Sequence, residues 1–296
     1  MSVTNTFASA ADDRVFRLVI ACPDQVGLVA KVSNFLANYN GWITEASHHS
    51  DPSIGWFFMR NEIRASSLPF DIKGFVQAFQ PIANEYGMYW RVEDSGVPKR
   101  VLLMASKESH CLADLLHRSM DGELPASIIG VCSNHEDLRR MVEWYDIPFH
   151  YIPVRKETKD ADFAKLNELM DELQPDVTVL ARYMQILPPE LCKTFEGRVI
   201  NIHHSFLPSF AGAKPYHQAY QRGVKLIGAT CHYVTDLLDE GPIIDQDVIR
   251  VSHSHTIADL VRLGRDVEKA VLARGLRYHL EERVIIHENK TIVFHH

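Results

Sequence analysis

Cysteine is scarce in this chain of 296 residues, and it follows no pattern. The five cysteines (Cys22, Cys111, Cys132, Cys192 and Cys231) are scattered, and none forms a C-x-x-C pair. That excludes a disulfide framework or a zinc ribbon and fits free thiols in a reducing cytoplasm. Long apolar runs are missing as well. Val177-Thr-Val-Leu-Ala181 is typical of the longest, so no membrane span is expected. Positive charge is in deficit, with 31 Lys and Arg against 38 Asp and Glu and a net charge of −7, which argues against a nucleic-acid binder working by phosphate neutralisation. The first ten residues carry neither a basic nor an apolar stretch, so no signal peptide is expected. The fingerprints of common α/β enzymes are absent too. No G-x-G-x-x-G, no P-loop, no G-x-S-x-G elbow and no H-E-x-x-H occurs, which disfavours dinucleotide binding, nucleotide hydrolysis, a serine hydrolase and a zincin. What remains, at 46% hydrophobic and 23% charged residues, is a globular chain long enough for two unequal domains.

Residues 1–12 are small, polar and aperiodic, and read as a flexible tail. Val15–Ala21 reads as a buried strand that stops at the turn Cys22-Pro-Asp-Gln-Val-Gly27. Val29, Val32, Leu36 and Tyr39 step by three and four, the period of a helix ending near Asn40-Gly41. Strands are expected at Trp42–Ser47 and Trp56–Ile63, then a helix on Ile72, Phe75, Phe79, Ile82 and Tyr86, then a strand at Met88–Val92. The order is βαββαβ, a ferredoxin-like split sandwich over residues 13–94. His48 and His49 are adjacent on a strand and face opposite ways, so no shared metal ion is expected there. Glu93–Lys99 is charged, holds Gly and Pro, and marks a linker at 95–99.

From Arg100 the pattern changes to alternation. Strands are expected at Arg100–Ala105, Ala126–Cys132, Phe149–Pro153, Asp176–Ala181 and Arg198–His203, with helices at Cys111–Met120, His135–Tyr145 and Asp160–Glu172 between them. Leu226–Thr235 and Ile243–Val251 follow as strands, then a long helix at Thr256–Glu282 and a hairpin at Val284–Phe294. Near-continuous apolar strands separated by helices predict a doubly wound, mostly parallel, Rossmann-like sheet over 100–296, with chemistry beyond the carboxyl ends of its strands. One such end is dense in polar groups: Asn201-Ile-His203-His204-Ser205-Phe-Leu-Pro208. Asn201 and His203 are two apart and share a strand face. A second polar segment, Val234-Thr235-Asp236-Leu-Leu-Asp239-Glu240-Gly241-Pro242, joins two buried strands and can present a carboxylate.

These two segments resemble the folate-dependent formyltransferase family, whose pattern is a strand ending N-I-H-x-S-x-L-P with an Asp later in a V-T-x-x-L-D-x-G-P loop. Here they read Asn201-Ile-His203-His-Ser205-Phe-Leu207-Pro208 and Val234-Thr235-Asp-Leu-Leu238-Asp239-Glu-Gly241-Pro242. The resemblance runs from about Arg100 onward. It implies that Asn201, His203 and Asp239 are catalytic, and that the segment Arg182, Tyr183, Met184, Ile186 and Leu187 holds the folate together with Val234, Thr235 and Asp236. Residues 13–94, through Pro23-Asp-Gln-Val-Gly27-Leu28, resemble an ACT domain, the small module that commonly binds amino acids. Asp24, Gln25 and Gly27 are therefore candidate effector contacts, with glycine or methionine as natural ligands, and a dimer or tetramer is expected.

Three departures point to a member that passes the formyl group to water. An ACT-like module precedes the catalytic part. His204 stands where the glycinamide ribonucleotide transformylases have Pro, and Ala105-Ser-Lys-Glu-Ser109 replaces their Gly/Ser/Asn-rich phosphate turn. The region around Ser106–Ser109 and Lys214-Pro-Tyr216 likewise lacks a small turn to seat a phosphate. Only about fifty residues follow Pro242, too few for the C-terminal domain of a methionyl-tRNA formyltransferase. The implied reaction is hydrolysis of 10-formyltetrahydrofolate to tetrahydrofolate and formate, with no metal and no cofactor beyond the folate substrate. Asn201, and His203 when protonated, would donate to the tetrahedral oxyanion, one good donor being worth about 10²–10³ in rate. Asp239 would orient and deprotonate water, and His203 would protonate the departing nitrogen. Formyl transfer to an amine, and a catalytically silent amino-acid sensor, are the competing readings.

Overall fold

The computed structural model describes residues 14–208 and 215–295. The tail expected at 1–12, Lys214 and His296 lie outside the described residues. The chain divides into two compact units. The first takes in residues up to Val97 together with Glu281–Ile285 and the residues from Ile292; the second holds Pro98–Leu280 and Ile286–Thr291.

In the first unit β1 (Val15–Pro23), α1 (Leu28–Asn38), β2 (Ile43–Asp51), β3 (Trp56–Arg64), α2 (Ile72–Glu85) and β4 (Tyr89–Asp94) follow the expected βαββαβ order. The four strands form one antiparallel sheet ordered β2-β3-β1-β4. β1 is central and nearly all buried because both of its faces are covered. On one face Leu28, Val32, Phe35 and Leu36 of α1 and Phe75, Phe79 and Ala83 of α2 pack over Phe16, Leu18 and Ile20. Spacings of three and four put those helix residues on one side. Asp71 starts α2 by accepting a hydrogen bond from the Gly74 backbone amide at 2.9 Å.

The other face corrects the expected boundaries. Val19 and Phe58 of the sheet pack with Ile285 and Phe294, so Glu281–Ile285 and the residues from Ile292 join the first unit instead of the second. The reason is an unsatisfied face: an antiparallel sheet with apolar residues on both sides must cover both. Arg60 of β3, with no exposed side-chain surface, fixes the arrangement through Glu45, Glu62 and the carbonyl oxygens of Glu281 and Glu282. Arg283 pairs with Glu45 at 2.8 Å and donates to the Phe294 carbonyl.

The second unit is built on a seven-stranded sheet. Its elements in chain order are β5 (Lys99–Ala105), α3 (His110–Met120), β6 (Ala126–Ser133), α4 (Arg139–Glu143), β7 (Phe149–Tyr151), α5 (Lys159–Leu173), β8 (Val177–Leu180), α6 (Pro189–Thr194), β9 (Val199–His203), α7 (Pro215–Arg222), β10 (Leu226–Tyr233), β11 (Ile243–Arg250) and α8 (Ile257–Leu280). The strand order is β11-β10-β9-β8-β5-β6-β7. Pairings from β7 through to β9 are parallel, and only β10 runs against its neighbours. The expected mostly parallel sheet is therefore present. The hairpin β12 (Val284–His287) and β13 (Lys290–Val293) completes the chain.

The expected helix at His135–Tyr145 shrinks to α4, because its capping residues are engaged elsewhere. Asn134 accepts a hydrogen bond from the Ser106 hydroxyl at 2.7 Å, and the Ser133 hydroxyl takes the His135 amide at 3.1 Å. α6 and α7 were not foreseen; both are short and begin at prolines, which favour a first helical turn. Gly275 lets α8 lie against β10, since a Cβ there would stand 2.5 Å from Cys231 Sγ.

Candidate active site

The site forms where β8 and β9 end and the β10–β11 loop folds back. β9 presents Asn201 and His203 from alternate positions, and β10 pairs Asn201 with His232 across the ladder. The loop after Tyr233 returns close against its own strand. A Cβ on Gly241 would lie 1.9 Å from the Tyr233 carbonyl oxygen, and the Tyr233 amide donates to the Pro242 carbonyl at 2.9 Å. Glycine is needed for this approach. Asp239 has φ 57°, in the left-handed region that Asp enters more readily than most residues.

This backbone brings the three residues singled out from the sequence together. Asp239 Oδ2 is 3.3 Å from His203 Nδ1, and its other oxygen is 3.8 Å from His232 Nε2. His232 Nδ1 donates to the Tyr233 carbonyl at 2.9 Å, so in the neutral ring Nε2 is the acceptor, 3.2 Å from Asn201 Nδ2. That contact orients the Asn201 amide, placing its NH₂ group toward His232. His203 is 6% exposed, and its Nε2 is buried without a hydrogen-bond partner. His203 is thus almost fully buried at the end of its strand, where it lines a cavity.

The electrostatics agree with the geometry. The hydrogen bond from His203 is the largest influence on Asp239 and holds its carboxyl below the ordinary value despite partial burial. Burial lowers His232. Burial, the charge of Arg182 and the neighbouring His203 push His204 down to about 4. The site therefore holds an ionised Asp239 carboxylate, with the imidazoles of His204 and His232 kept neutral near pH 7.

A cavity of about 380 Å³ opens over these groups. Asn201, His203 and Asp239 line it, as do Arg182, Tyr183, Met184, Ile186, Leu187, Val234, Thr235 and Asp236. Met184, Ile186, Leu237 and Leu238 are well exposed and give the cavity an apolar rim suited to a flat ring system. Ser106 joins three strand ends beneath it, donating to Asn134 and accepting the Met184 amide at 2.9 Å. Asp24, Gln25 and Gly27 belong to the other unit and take no part. They form an exposed turn in which Gly27, at φ 95°, precedes α1 and Ser50 donates to the Asp24 carboxylate.

Sequence reasoning missed His232, whose signal was a histidine inside an otherwise apolar buried strand. It also missed Glu268, a lone carboxylate on the buried stripe Gly264, Val267, Val271 and Gly275 of α8.

Comparison with known proteins bears on this arrangement. The family profile described as formyl transferase matches residues 99–276. The chain belongs to the formyl transferase family. Within that family it groups with the formyltetrahydrofolate deformylases. It is 48% identical over 279 residues to the formyltetrahydrofolate deformylase of Bacillus subtilis (strain 168), covering 94% of this chain and 93% of that protein. The crystal structure of a formyltetrahydrofolate deformylase from Pseudomonas syringae pv. tomato is 68% identical and superposes with a TM-score of 0.94, covering 95% of each chain. A glycinamide ribonucleotide transformylase from Symbiobacterium toebii is a more distant relation within the family, at 29% identity and a TM-score of 0.63. It spans 67% of this chain and 95% of its own.

Proposed function

We propose that the chain hydrolyses 10-formyltetrahydrofolate to tetrahydrofolate and formate, with water as the acceptor and Asn201, His203 and Asp239 as the catalytic groups. The observation that carries this reading is the His203–Asp239 contact at the wall of the cavity, in a chain similar to deformylases along nearly its whole length. Arg182, Tyr183, Met184, Ile186 and Leu187 on one side, and Val234, Thr235 and Asp236 on the other, are the proposed folate contacts.

The geometry favours one division of labour. Asp239, held ionised by His203, is a weak base, whereas Nδ1–H of His203 donated to Asp239 leaves Nε2 free to accept a proton. In this scheme His203 takes the proton from the attacking water and Asp239 steadies the imidazolium. Asn201 donates to the oxyanion, and the imidazolium returns the proton to the departing folate nitrogen. Acid–base catalysis of this kind contributes about 10²–10⁴. These residues supply the chemistry without a further cofactor. The test is purified protein with 10-formyltetrahydrofolate alone: formate and tetrahydrofolate should appear in equal amounts, and folate turnover that begins only after an amine is added would overturn the reading.

The βαββαβ unit leaves β2 and β4 as sheet edges, with Trp42 and Tyr89 well exposed. This supports a role in joining subunits and in taking a small amino acid such as glycine or methionine at the Asp24–Gly27 turn. No helix among the described residues is long and apolar enough to cross a membrane, and buried free thiols favour a cytoplasmic setting. Solution mass and turnover of the full chain with each amino acid added test this. A monomer whose rate no amino acid alters would exclude it.

A further inference from the structure

Three residues from separate parts of the second unit meet on the carboxylate of a fourth. Glu268 of α8 is 1% exposed. His110, the first residue of α3, donates from Nε2 to one of its oxygens at 2.7 Å, and the Tyr216 hydroxyl of α7 donates to the other at 2.5 Å. Arg182 Nε lies 3.4 Å from the first oxygen. Burial by itself would raise the pKa of Glu268, but His110, Arg182 and Tyr216 together hold it below the ordinary value. A buried carboxylate is costly unless satisfied in this way. α8 makes room for the clamp at Gly264, where a Cβ would stand 2.1 Å from the Tyr216 hydroxyl oxygen.

The clamp lies directly behind the catalytic cavity. The Tyr216 ring is 6.2 Å from that of His204, which is 5.2 Å from that of His203. His204 and Arg182 line the cavity; Tyr216, His110 and Glu268 do not. Among the described residues, Arg182 and His204 therefore stand between the cavity and the Glu268 cluster. His110, Cys111 and Glu268 are close enough to suggest a metal ion. The guanidinium of Arg182 on the same carboxylate and the raised thiol pKa of the buried Cys111 both oppose a cation there.

We propose that this clamp, with Tyr216 as its main bulk, backs Arg182 and His204 as a specificity-determining wall that restricts the nucleophile to the size of water. The inference rests on the hydrolytic reading above. Transfer to an amine and transfer to water need the same proton movements. In each, the nucleophile bonds to the formyl carbon and the bond from that carbon to the folate nitrogen breaks. Its electron pair stays on the folate nitrogen, which takes up the proton the nucleophile loses. The acid–base groups cannot distinguish the two reactions, whereas the space beside the formyl carbon can. A wall backed by the Tyr216 ring, packed between His204 and Gly264 of α8, leaves no room for a larger acceptor.

The test is partitioning: the ratio of formylated amine to formate when 10-formyltetrahydrofolate turns over with hydroxylamine or with glycinamide present, corrected for the enzyme-free reaction. The ratio does not depend on how much of a variant is folded or active. Wild type should intercept hydroxylamine, which is close to water in size, and leave glycinamide essentially unformylated. Tyr216→Ala should raise the glycinamide ratio by about tenfold or more, the low end of what one size step in a pocket discriminates. Tyr216→Phe, which keeps the ring, should match wild type, and Tyr216→Leu serves if the alanine variant does not fold. Comparable formylation of glycinamide by wild type, or an unchanged ratio in the opened variants, would overturn the wall. Absence of formate from wild type with folate alone would instead overturn the hydrolytic reading.

Discussion

Gly241→Ala should separate catalysis from folding. The added Cβ would stand 1.9 Å from the Tyr233 carbonyl oxygen and 2.9 Å from its carbon. Restoring an ordinary contact requires the loop or the end of β10 to move by at least about 1 Å. The Tyr233–Pro242 hydrogen bond of 2.9 Å resists that motion. Asp239 is two residues away and reaches His203 at 3.3 Å, so the displacement passes to the pair. A misplacement of about 1 Å can cost about 10² in rate, while overpacking costs about 1–3 kcal/mol. We expect kcat/KM for formate release to fall about a hundredfold, with a cooperative melt lowered by a few degrees. Gly122→Ala is the control: Gly122 has φ 75° and nothing within 4 Å of the added Cβ. It should lose about 1 kcal/mol to left-handed strain and keep full activity. If Gly241→Ala retains more than about a third of wild-type kcat/KM, the tight loop does not position Asp239 and the argument fails.

Three other outcomes follow from the same geometry. Asp239→Asn and Asp239→Ala should each reduce formate release by about 10² or more, but only the alanine variant should also lose about 1 kcal/mol in denaturant titration, because Asn tolerates φ 57° and Ala does not; either variant keeping about a tenth of wild-type turnover would exclude the proposed role. His204, pushed from 6.5 to about 4, stays neutral in the folded chain while the unfolded chain takes up a proton. Its contribution to stability is therefore complete above pH 6.5, shrinks as pH falls through the window from 6.5 to about 4, and is gone below it. His204→Gln should flatten stability against pH in that window by up to about 1.4 kcal/mol per unit, and an unchanged slope would refute the assignment; Asp239, already below its ordinary value, acts only at lower pH. Arg60→Leu should cost about 1–3 kcal/mol by leaving the Glu281 and Glu282 carbonyls without their donor, while Glu45 keeps Arg283 and Glu62 keeps Arg17, and a thermal melt showing less than about 1 kcal/mol would mean that the network is not needed to hold the last segment.

Most of the fold was legible because each element obeys a period that burial enforces. β1, β5 and β8 are covered on both faces and read as continuous apolar runs, while α1 and α2 show steps of three and four. The departures come from residues whose partners are distant in sequence. Ser133 and Asn134 look like a helix cap, but they are held by Ser106 and by the loop itself, so α4 starts late. The last segment joins the first unit because Arg60 and Phe58, more than two hundred residues earlier, need partners that local pattern cannot supply.

The site divides in the same way. Asn201 and His203 share a strand face by simple alternation, and the N-I-H and L-D-x-G-P segments carry enough pattern for Asp239 to be singled out. The interatomic relations were not in the pattern. That His203 Nδ1 faces Asp239, leaving Nε2 buried without a partner, depends on the left-handed turn at Asp239 and the close approach at Gly241. That His232 orients the Asn201 amide depends on the antiparallel register of β10 against β9. The candidate site residues are thus readable one at a time, but their contacts are set by a single reversed strand and the loop that follows it. Had β10 run parallel like its neighbours, His232 would have met a different residue of β9, and the same motifs would have made a different site.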